Sequence, residues 1–268
     1  MVAAGELLRE WRLRRRMSQM ELAHSIDVSP RHVSLVETGK ATPSPSMLLR
    51  LAAGLDVPLR NRNQLLLAAG YAPRYPEREI GAEELERAYQ AVVDVLSAHE
   101  PYPALVIDRR WNIVLMNRAL GPFLTGVAPG LLGPPANWVR LGLHPHGLAP
   151  RIVNLSQVRA LLQARIARQL AAAPDPEVQA LYDEFFGSLS GVEVAAAPIE
   201  SEIAIPMIVT HGSHQLKLFS TITTFGTPQD VTLEEISIEL YYPADHRTAD
   251  LLRSSTLHDI QPQPGEGT

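Results

Sequence analysis

Residues Ser18 to Gly39, SQMELAHSIDVSPRHVSLVETG, hold two helix-length apolar patterns separated by a three-residue break. Leu22, Ala23 and Ile26 fall on one face of the first, and Val33 and Val36 on one face of the second, a spacing that belongs to helices rather than strands. Each pattern carries its own start signal. Ser18 caps the first helix, with Glu21 three residues on to complete a capping box. Ser29 caps the second, and Pro30 takes the first helical position, where its missing N–H costs nothing. Helices this short are stable only against a shared core, and Ala23 is small where the two must approach. In the break, Val28 points inward and the chain turns at Asp27.

These residues resemble the helix-turn-helix of Xre/Cro-type bacterial repressors. The likeness is carried by SQ-x-E-L-A, then V-S-x-x-x-V-S-x-x-E-x-G, then P-S-x-x-x-L-x-x-L-A from Pro43 to Ala52 with one extra residue. Asp27 stands where such turns usually carry Gly; because Asp tolerates the left-handed conformation, the same turn is expected at a small cost. The resemblance implies that the second helix enters the major groove while the first crosses the phosphate backbone. Arg31, His32, Ser34 and Leu35 then become base-contact candidates, Arg31 by forking onto guanine O6 and N7 and Leu35 by meeting a thymine methyl. Ser29 joins the DNA-facing set, and Gln19, Thr38 and Lys40 are placed to hold phosphates. Arg12 and Glu37 match positions that pair the first helix with the recognition helix in that family. Outside this motif, Arg31 and His32 would read simply as a solvated helix face.

The surrounding chain supplies the rest of a head. Glu6–Arg15 reads as a first helix with Leu7, Leu8 and Trp11 inward and arginines around it; after the rigid turn at Ala41–Pro45 a helix runs to about Leu55. Pro58 opens a last helix, Leu59–Ala69, which Gly70 closes. Residues 1–75 carry 11 Lys/Arg against 6 Asp/Glu, a balance of +5. The remainder carries 13 against 23, a balance of −10, giving the −5 of the whole chain. A basic head on an acidic body suits attraction to DNA through one face.

Tyr71–Pro76 is a proline-broken boundary, and Ala82 to about His99 reads as a connecting helix with a wide apolar face. Beyond it the pattern changes to strands. Ala104–Ile107 and Asn112–Met116 flank a hairpin signal; Ser156–Ala172 and Pro176–Leu189 are helical; Ile203–Thr210, Gln215–Phe225 and Val231–Tyr241 read as three further strands. Two strands, helices and three strands is the PAS arrangement. The segments PYPALVIDRRWNIVLMN, NWVRLGLHPHGLAPRIVN and FSTITTFGTPQDVTLEEISIELYYPAD resemble the ligand-binding domain of MmyB-like transcription regulators, a PAS-like module that follows an Xre-type head. The expected fold class is α+β: a five-helix DNA-binding domain over 1–75, a connecting helix over 76–101, a PAS-like domain over 102–255 with a five-stranded antiparallel sheet and covering helices, and a flexible tail over 256–268.

A ligand in such a module sits between the sheet and its helices, in a mostly apolar pocket with a few placed polar groups. In Gln215–Phe225 the alternation yields two sets, Leu216, Leu218, Ser220, Ile222 and Thr224 against Lys217, Phe219, Thr221, Thr223 and Phe225, and periodicity does not choose between them. Candidate ligand contacts are Phe219, Thr221, Thr223 and Phe225 from the second set, with Trp111 and Asn117 near the hairpin. Arg140, His144, Arg151 and Asn154 join them, the arginines as a fork for an acidic head group; capping a helix or pairing with the acidic body is the other use open to each arginine. The resemblance suggests a fatty-acid-like or other small apolar effector.

Other functions find little support. The chain has no cysteine, so disulfides and thiolate metal sites are excluded. The pairs His144/His146 and His211/His214 lack an ordered acidic partner, and no metal or other cofactor is expected. No phosphate loop, nucleophile elbow or zinc-protease motif is present, which argues against an enzyme. No apolar run reaches the length of a membrane span, and the charged N-terminus is unlike a signal peptide. The reading is therefore a bacterial, cytoplasmic and nucleoid-associated homodimer that binds a double-stranded operator under control of a small apolar effector. A constitutive DNA-binding protein whose PAS-like domain only dimerises or recruits a partner protein is the first alternative, and a haem or redox sensor the second.

Overall fold

The computed structural model describes residues 3–187 and 205–254, which separate into two compact units. The first comprises the chain up to Ala82 together with Ala171–Ala173 and Phe225–Glu234. Five helices make its body: α1 (Ala4–Arg14), α2 (Gln19–Ser25), α3 (Pro30–Glu37), α4 (Pro45–Gly54) and α5 (Leu59–Ala68). Ser18, Ser29 and Ser44 cap α2, α3 and α4 by accepting from the backbone N–H three residues on. Leu8, Leu22, Val33, Leu48 and Leu51 are fully enclosed between the helices. Asp27 adopts φ 52°, the left-handed turn expected of it. Gly5 of α1 lies where any Cβ would come within 2.3 Å of the Val36 carbonyl oxygen, so the absence of a side chain lets α1 and α3 touch backbone to backbone.

The second unit comprises Glu83–Leu170, Pro174–Thr224 and the residues from Glu235 onward. It opens with α6 (Glu86–Ala98), then β1 (Ala104–Ile107) and β2 (Ile113–Met116). The short helices α7 (Gly121–Leu124), α8 (Pro129–Leu132) and α9 (Trp138–Leu143) follow, and then the long α10 (Leu155–Ala172) and α11 (Pro176–Phe186). The chain continues through β3 (Met207–His211) and β4 (His214–Thr223), then α12 (Val231–Glu235), which belongs to the first unit up to Glu234, and returns with β5 (Ser237–Pro243) and α13 (His246–Arg253). The sheet runs β2-β1-β5-β4-β3, antiparallel throughout, a PAS-like order that places β5 at the centre. Its register sets Ser220 of β4 opposite Tyr241 and Ile222 opposite Glu239. The fold class is α+β, a helical helix-turn-helix unit and a unit built on a five-stranded antiparallel sheet with helices.

The three C-terminal strand runs differ from the sequence reading. Val231–Tyr241 is not one strand. Asp230 accepts at its Oδ1 from Thr232 N–H at 2.9 Å and at its carbonyl from Glu234 N–H at 3.1 Å, which winds Val231–Glu235 into α12 before β5 begins. The run expected over Ile203–Thr210 is a strand only from Met207; residues 203 and 204 lie outside the described residues. The run Gln215–Phe225 ends at Thr223. The expected helix end at Leu189 and the expected tail over 256–268 also lie outside the described residues.

Candidate nucleic-acid interface and ligand pocket

In the first unit, α3 presents two stripes. Val33, Val36 and Glu37 turn inward, while Arg31, Ser34, Leu35 and Thr38 recur at helical spacing on the other side. Arg31, Thr38 and Lys40 are exposed, and among the described residues Arg31 and Lys40 carry no ion pair. Ser34 and Leu35 are half-buried. His32 is also half-buried, and its Nε2 is enclosed without a hydrogen-bond partner. Ser29 uses its hydroxyl to accept from His32 N–H at 3.2 Å, and Thr38 donates its hydroxyl to the Ser34 carbonyl at 2.7 Å. Gln19 is committed to the other side of the motif, donating its side-chain amide to Glu37 Oε2 at 2.8 Å.

What orients α3 is a buried ion pair. Arg12 of α1 donates Nε to Glu37 Oε1 at 2.7 Å and Nη2 to Glu37 Oε2 at 2.9 Å, and its Nη1 to the Met17 carbonyl at 2.7 Å. The fork is the geometry in which arginine binds a carboxylate best. Burial by itself raises the Glu37 carboxyl; hydrogen bonds from Arg12 and Gln19, with the charges of Arg12 and Arg9, outweigh it and hold the group below the usual glutamate range. A carboxyl depressed on folding contributes stability above its unfolded pKa, and that contribution is lost as pH falls through the folded value.

In the second unit, a cavity of about 250 Å³ lies between β3–β5, α9 and α10. Leu148, Ile152, Val158, Leu162, Met207 and Leu218 form most of its wall; Arg165, Arg168, Ser220, Glu239 and Tyr241 form a polar end. Behind it a far smaller apolar hollow reaches toward Leu120 and Phe123 and shares Trp138, Met207 and Tyr241 with the first. Three side chains of the polar end, with Trp138, form one hydrogen-bonded chain. Arg165 donates Nη1 to Glu239 Oε1, the Tyr241 hydroxyl donates to Glu239 Oε2 at 3.0 Å, and Trp138 Nε1 donates to the Tyr241 hydroxyl at 3.1 Å. Burial, followed by the neighbouring Glu239 charge, pushes the Tyr241 phenol well above its ordinary value, so it stays a protonated donor.

The sequence-based ligand candidates are mostly placed elsewhere. Phe219 lines the cavity. Trp111 does not, but its ring lies 4.3 Å below the guanidinium of Arg165 and its Nε1 donates to Gln169 at 3.0 Å; its φ of 69° is unusual for so bulky a residue. Thr221 and Thr223 are exposed on β4, and Phe225 belongs to the first unit. Asn117 accepts from Ala104 N–H and donates to the Leu96 and Tyr102 carbonyls, tying α6 to the sheet. Arg140 is spent on Glu184 at 2.8 Å and Arg151 on the Phe123 carbonyl, so the expected arginine fork does not form. His144 accepts from His146 N–H at 3.0 Å, and Asn154 clamps Ile208 N–H and the Pro206 carbonyl. Burial lowers the His211 imidazole, with Arg151 and His214 adding to the effect, and among the described residues no cluster of His, Asp and Glu is arranged to hold a metal.

The cavity face of β4 is thus the set Leu218, Ser220 and Ile222, with Phe219 at its edge. Sequence reasoning missed Arg165, Glu239 and Tyr241. The signal for the last two was a carboxylate two residues before a tyrosine on one strand face.

Two family models match the chain. One, described as the MmyB-like transcription regulator ligand binding domain, covers residues 88–254; the other, a helix-turn-helix domain, covers residues 3–65. A Bacillus subtilis protein carrying the name uncharacterized HTH-type transcriptional regulator RghRB is 36% identical over 92 residues, which is 34% of this chain. The chain spans 62% of the length of that relative. Among the described residues no helix is long and apolar enough to cross a membrane.

Proposed function

The chain belongs to the MmyB-like transcription regulators, and from that premise we propose that it binds an operator through α3 and takes a small apolar, fatty-acid-like effector into the cavity of its second unit. The observation that carries this reading is the pairing, in one chain, of an exposed stripe bearing the unpaired cation Arg31 with an apolar cavity ending in a few fixed polar groups. The cavity is larger than the roughly 150 Å³ void that accepts benzene, so it has room for a short chain or a compact ring system. A two-fold homodimer would meet half-sites about one helical turn apart. The effector would act by its different affinity for the DNA-competent and incompetent states, and by no other route. The basic balance of the head supports a salt-dependent affinity.

Two experiments test the halves of this reading separately. In binding-site selection followed by titration, Arg31→Ala is expected to lose about 1–3 kcal/mol of discrimination at one base position. An equal loss on every sequence would make Arg31 a phosphate contact instead. In native mass spectrometry of the purified protein, a bound mass of a few hundred daltons, released on denaturation, is the expected effector signature. A dimer without an adduct, unchanged by added alkyl compounds, would favour a sheet domain that serves assembly alone.

A further inference from the structure

Along one face of β3 and β4 the register sets Met207 opposite Leu218, Val209 opposite Leu216 and His211 opposite His214. Met207, Val209 and Leu218 line the two hollows. The column then ends, at the turn through Gly212, in two imidazoles placed across from each other. Phe123 of α7 closes against this end. Its ring lies 5.4 Å from the His211 ring between centroids, and its carbonyl accepts from Nη2 of Arg151, so one residue brings Arg151 and His211 together.

Arg151 is a half-buried cation without a counter-charge. Beyond the bond to Phe123 its N–H donors have no partner among the described residues, and no carboxylate of those residues pairs with it. Burial alone acts on its guanidinium and pulls the pKa down. At Arg12, by contrast, Glu37 outweighs burial and raises it. His211 is 7% exposed, and the charges that reach it come from Arg151 and His214, both basic. Among the described residues His32 Nε2 is the one enclosed side-chain atom left without a partner, so the ring nitrogens of His211 are open to a small ion.

A cation taken out of water and left unpaired is costly, and two basic neighbours add to the cost until an anion offsets it. A guanidinium meets an oxyanion as a fork, and imidazole N–H groups add directed donors. None of the three residues lines either hollow.

We propose that Arg151, His211 and His214 form a binding site for a small oxyanion, a phosphate or a carboxylate, at the turn end of the β3–β4 hairpin. The site is separate from the cavity and does not depend on the effector reading of it.

Titration of the full-length protein with sodium phosphate and, separately, sodium acetate tests it, with sodium chloride holding the ionic strength and the histidine ring NMR signals as the readout near pH 6.5. The His211 and His214 signals are expected to move and saturate with a midpoint of about 5 mM or below, while His99, bonded to the Tyr241 carbonyl, stays in place. Arg151→Gln should weaken binding at least about tenfold, and Arg151→Lys, which keeps the charge but not the fork, by less. In chloride buffer Arg151→Gln should also raise the melting temperature, because it removes an unpaired charge; a side chain that served only to bond the Phe123 carbonyl would lower it. A response to phosphate alone identifies a phosphoryl ligand, and equal responses a carboxylate-sized one. The proposal is overturned if neither anion moves the His211 and His214 signals to saturation by about 50 mM, or if Arg151→Gln binds within about twofold of the wild type. Should the variant fail to fold, the wild-type titration decides alone.

Discussion

Arg12→Met is expected to destabilise the head by about 3–5 kcal/mol, because it leaves Glu37 as a buried carboxylate without its counter-charge. Glu37 is 5% exposed, and the amide of Gln19 is then the side-chain donor left to it. The variant also strands the Met17 carbonyl, which Arg12 now satisfies. For a unit of this size each kcal/mol corresponds to roughly 4–8 °C in melting temperature, so the loss is large enough to leave the head largely unfolded near 37 °C. Arg12→Lys would not rescue it, since an ammonium cannot make the fork. The double variant Arg12→Met/Glu37→Leu is expected to recover most of the loss, as apolar replacements of buried pairs commonly do. Urea denaturation of all three variants at about pH 7 supplies the cycle. The sign of the pH effect follows from the depressed Glu37 carboxyl: wild-type stability should hold down to about pH 4.5 and fall below it, and Glu37→Gln should flatten that acid limb. A single-variant cost under about 1 kcal/mol would mean that the pair does not hold α1 against α3.

The pair shows why the head was legible in the sequence and much of the pocket was not. The head's signals are local. Ser18, Ser29 and Ser44 announce helix starts within three residues, Pro30 and Pro45 fix the first turns, and Asp27 marks the break, so each element is specified by its own neighbourhood. The strands β1, β2 and β4 were visible for a similar reason, as short apolar or alternating runs between turn residues. The failures arise where the deciding partner is distant in sequence. Arg140 and Arg151 looked like a carboxylate fork from spacing alone. Glu184, 44 residues from Arg140, and the Phe123 carbonyl, 28 residues from Arg151, had already claimed them. On β4 both alternating sets mix apolar and hydroxyl residues, so the pleat could not reveal which side meets the helices. Glu239 was hidden inside a run read as one strand because Asp230 converts the first part of that run into α12. A buried charge on a central strand becomes visible only once its partner Arg165, 74 residues away, is placed beside it.

Trp138→Ala is the second substitution expected to have a large effect, and it probes the wall between the two hollows of the second unit. The ring meets Tyr241 edge-on at 6.1 Å between centroids, lines both hollows, and donates its Nε1 hydrogen to the Tyr241 hydroxyl. Truncation removes an aromatic side chain that is 7% exposed, and the surrounding residues cannot close the gap because β5 and α10 are held by the Arg165–Glu239 pair. The cost expected for such a change is about 3–5 kcal/mol, or roughly 10 °C in melting temperature for a unit of this size. Tyr241 keeps its donation to Glu239, so most of the loss is packing rather than a broken hydrogen-bond chain. This distinction can be measured. Trp138→Phe keeps a six-membered ring but loses the N–H and part of the bicycle, so its cost should be roughly 1 kcal/mol for the hydrogen bond plus that of a small cavity, well short of the alanine variant. Added indole should raise the melting temperature of Trp138→Ala more than that of the wild type, because a ligand that binds the folded state stabilises it by an amount that grows with the logarithm of its concentration over the dissociation constant. If Phe and Ala variants lose equally, the N–H is the important part of Trp138; if indole gives no selective rescue, the space left by the ring has collapsed and the two hollows are not separated by a rigid wall.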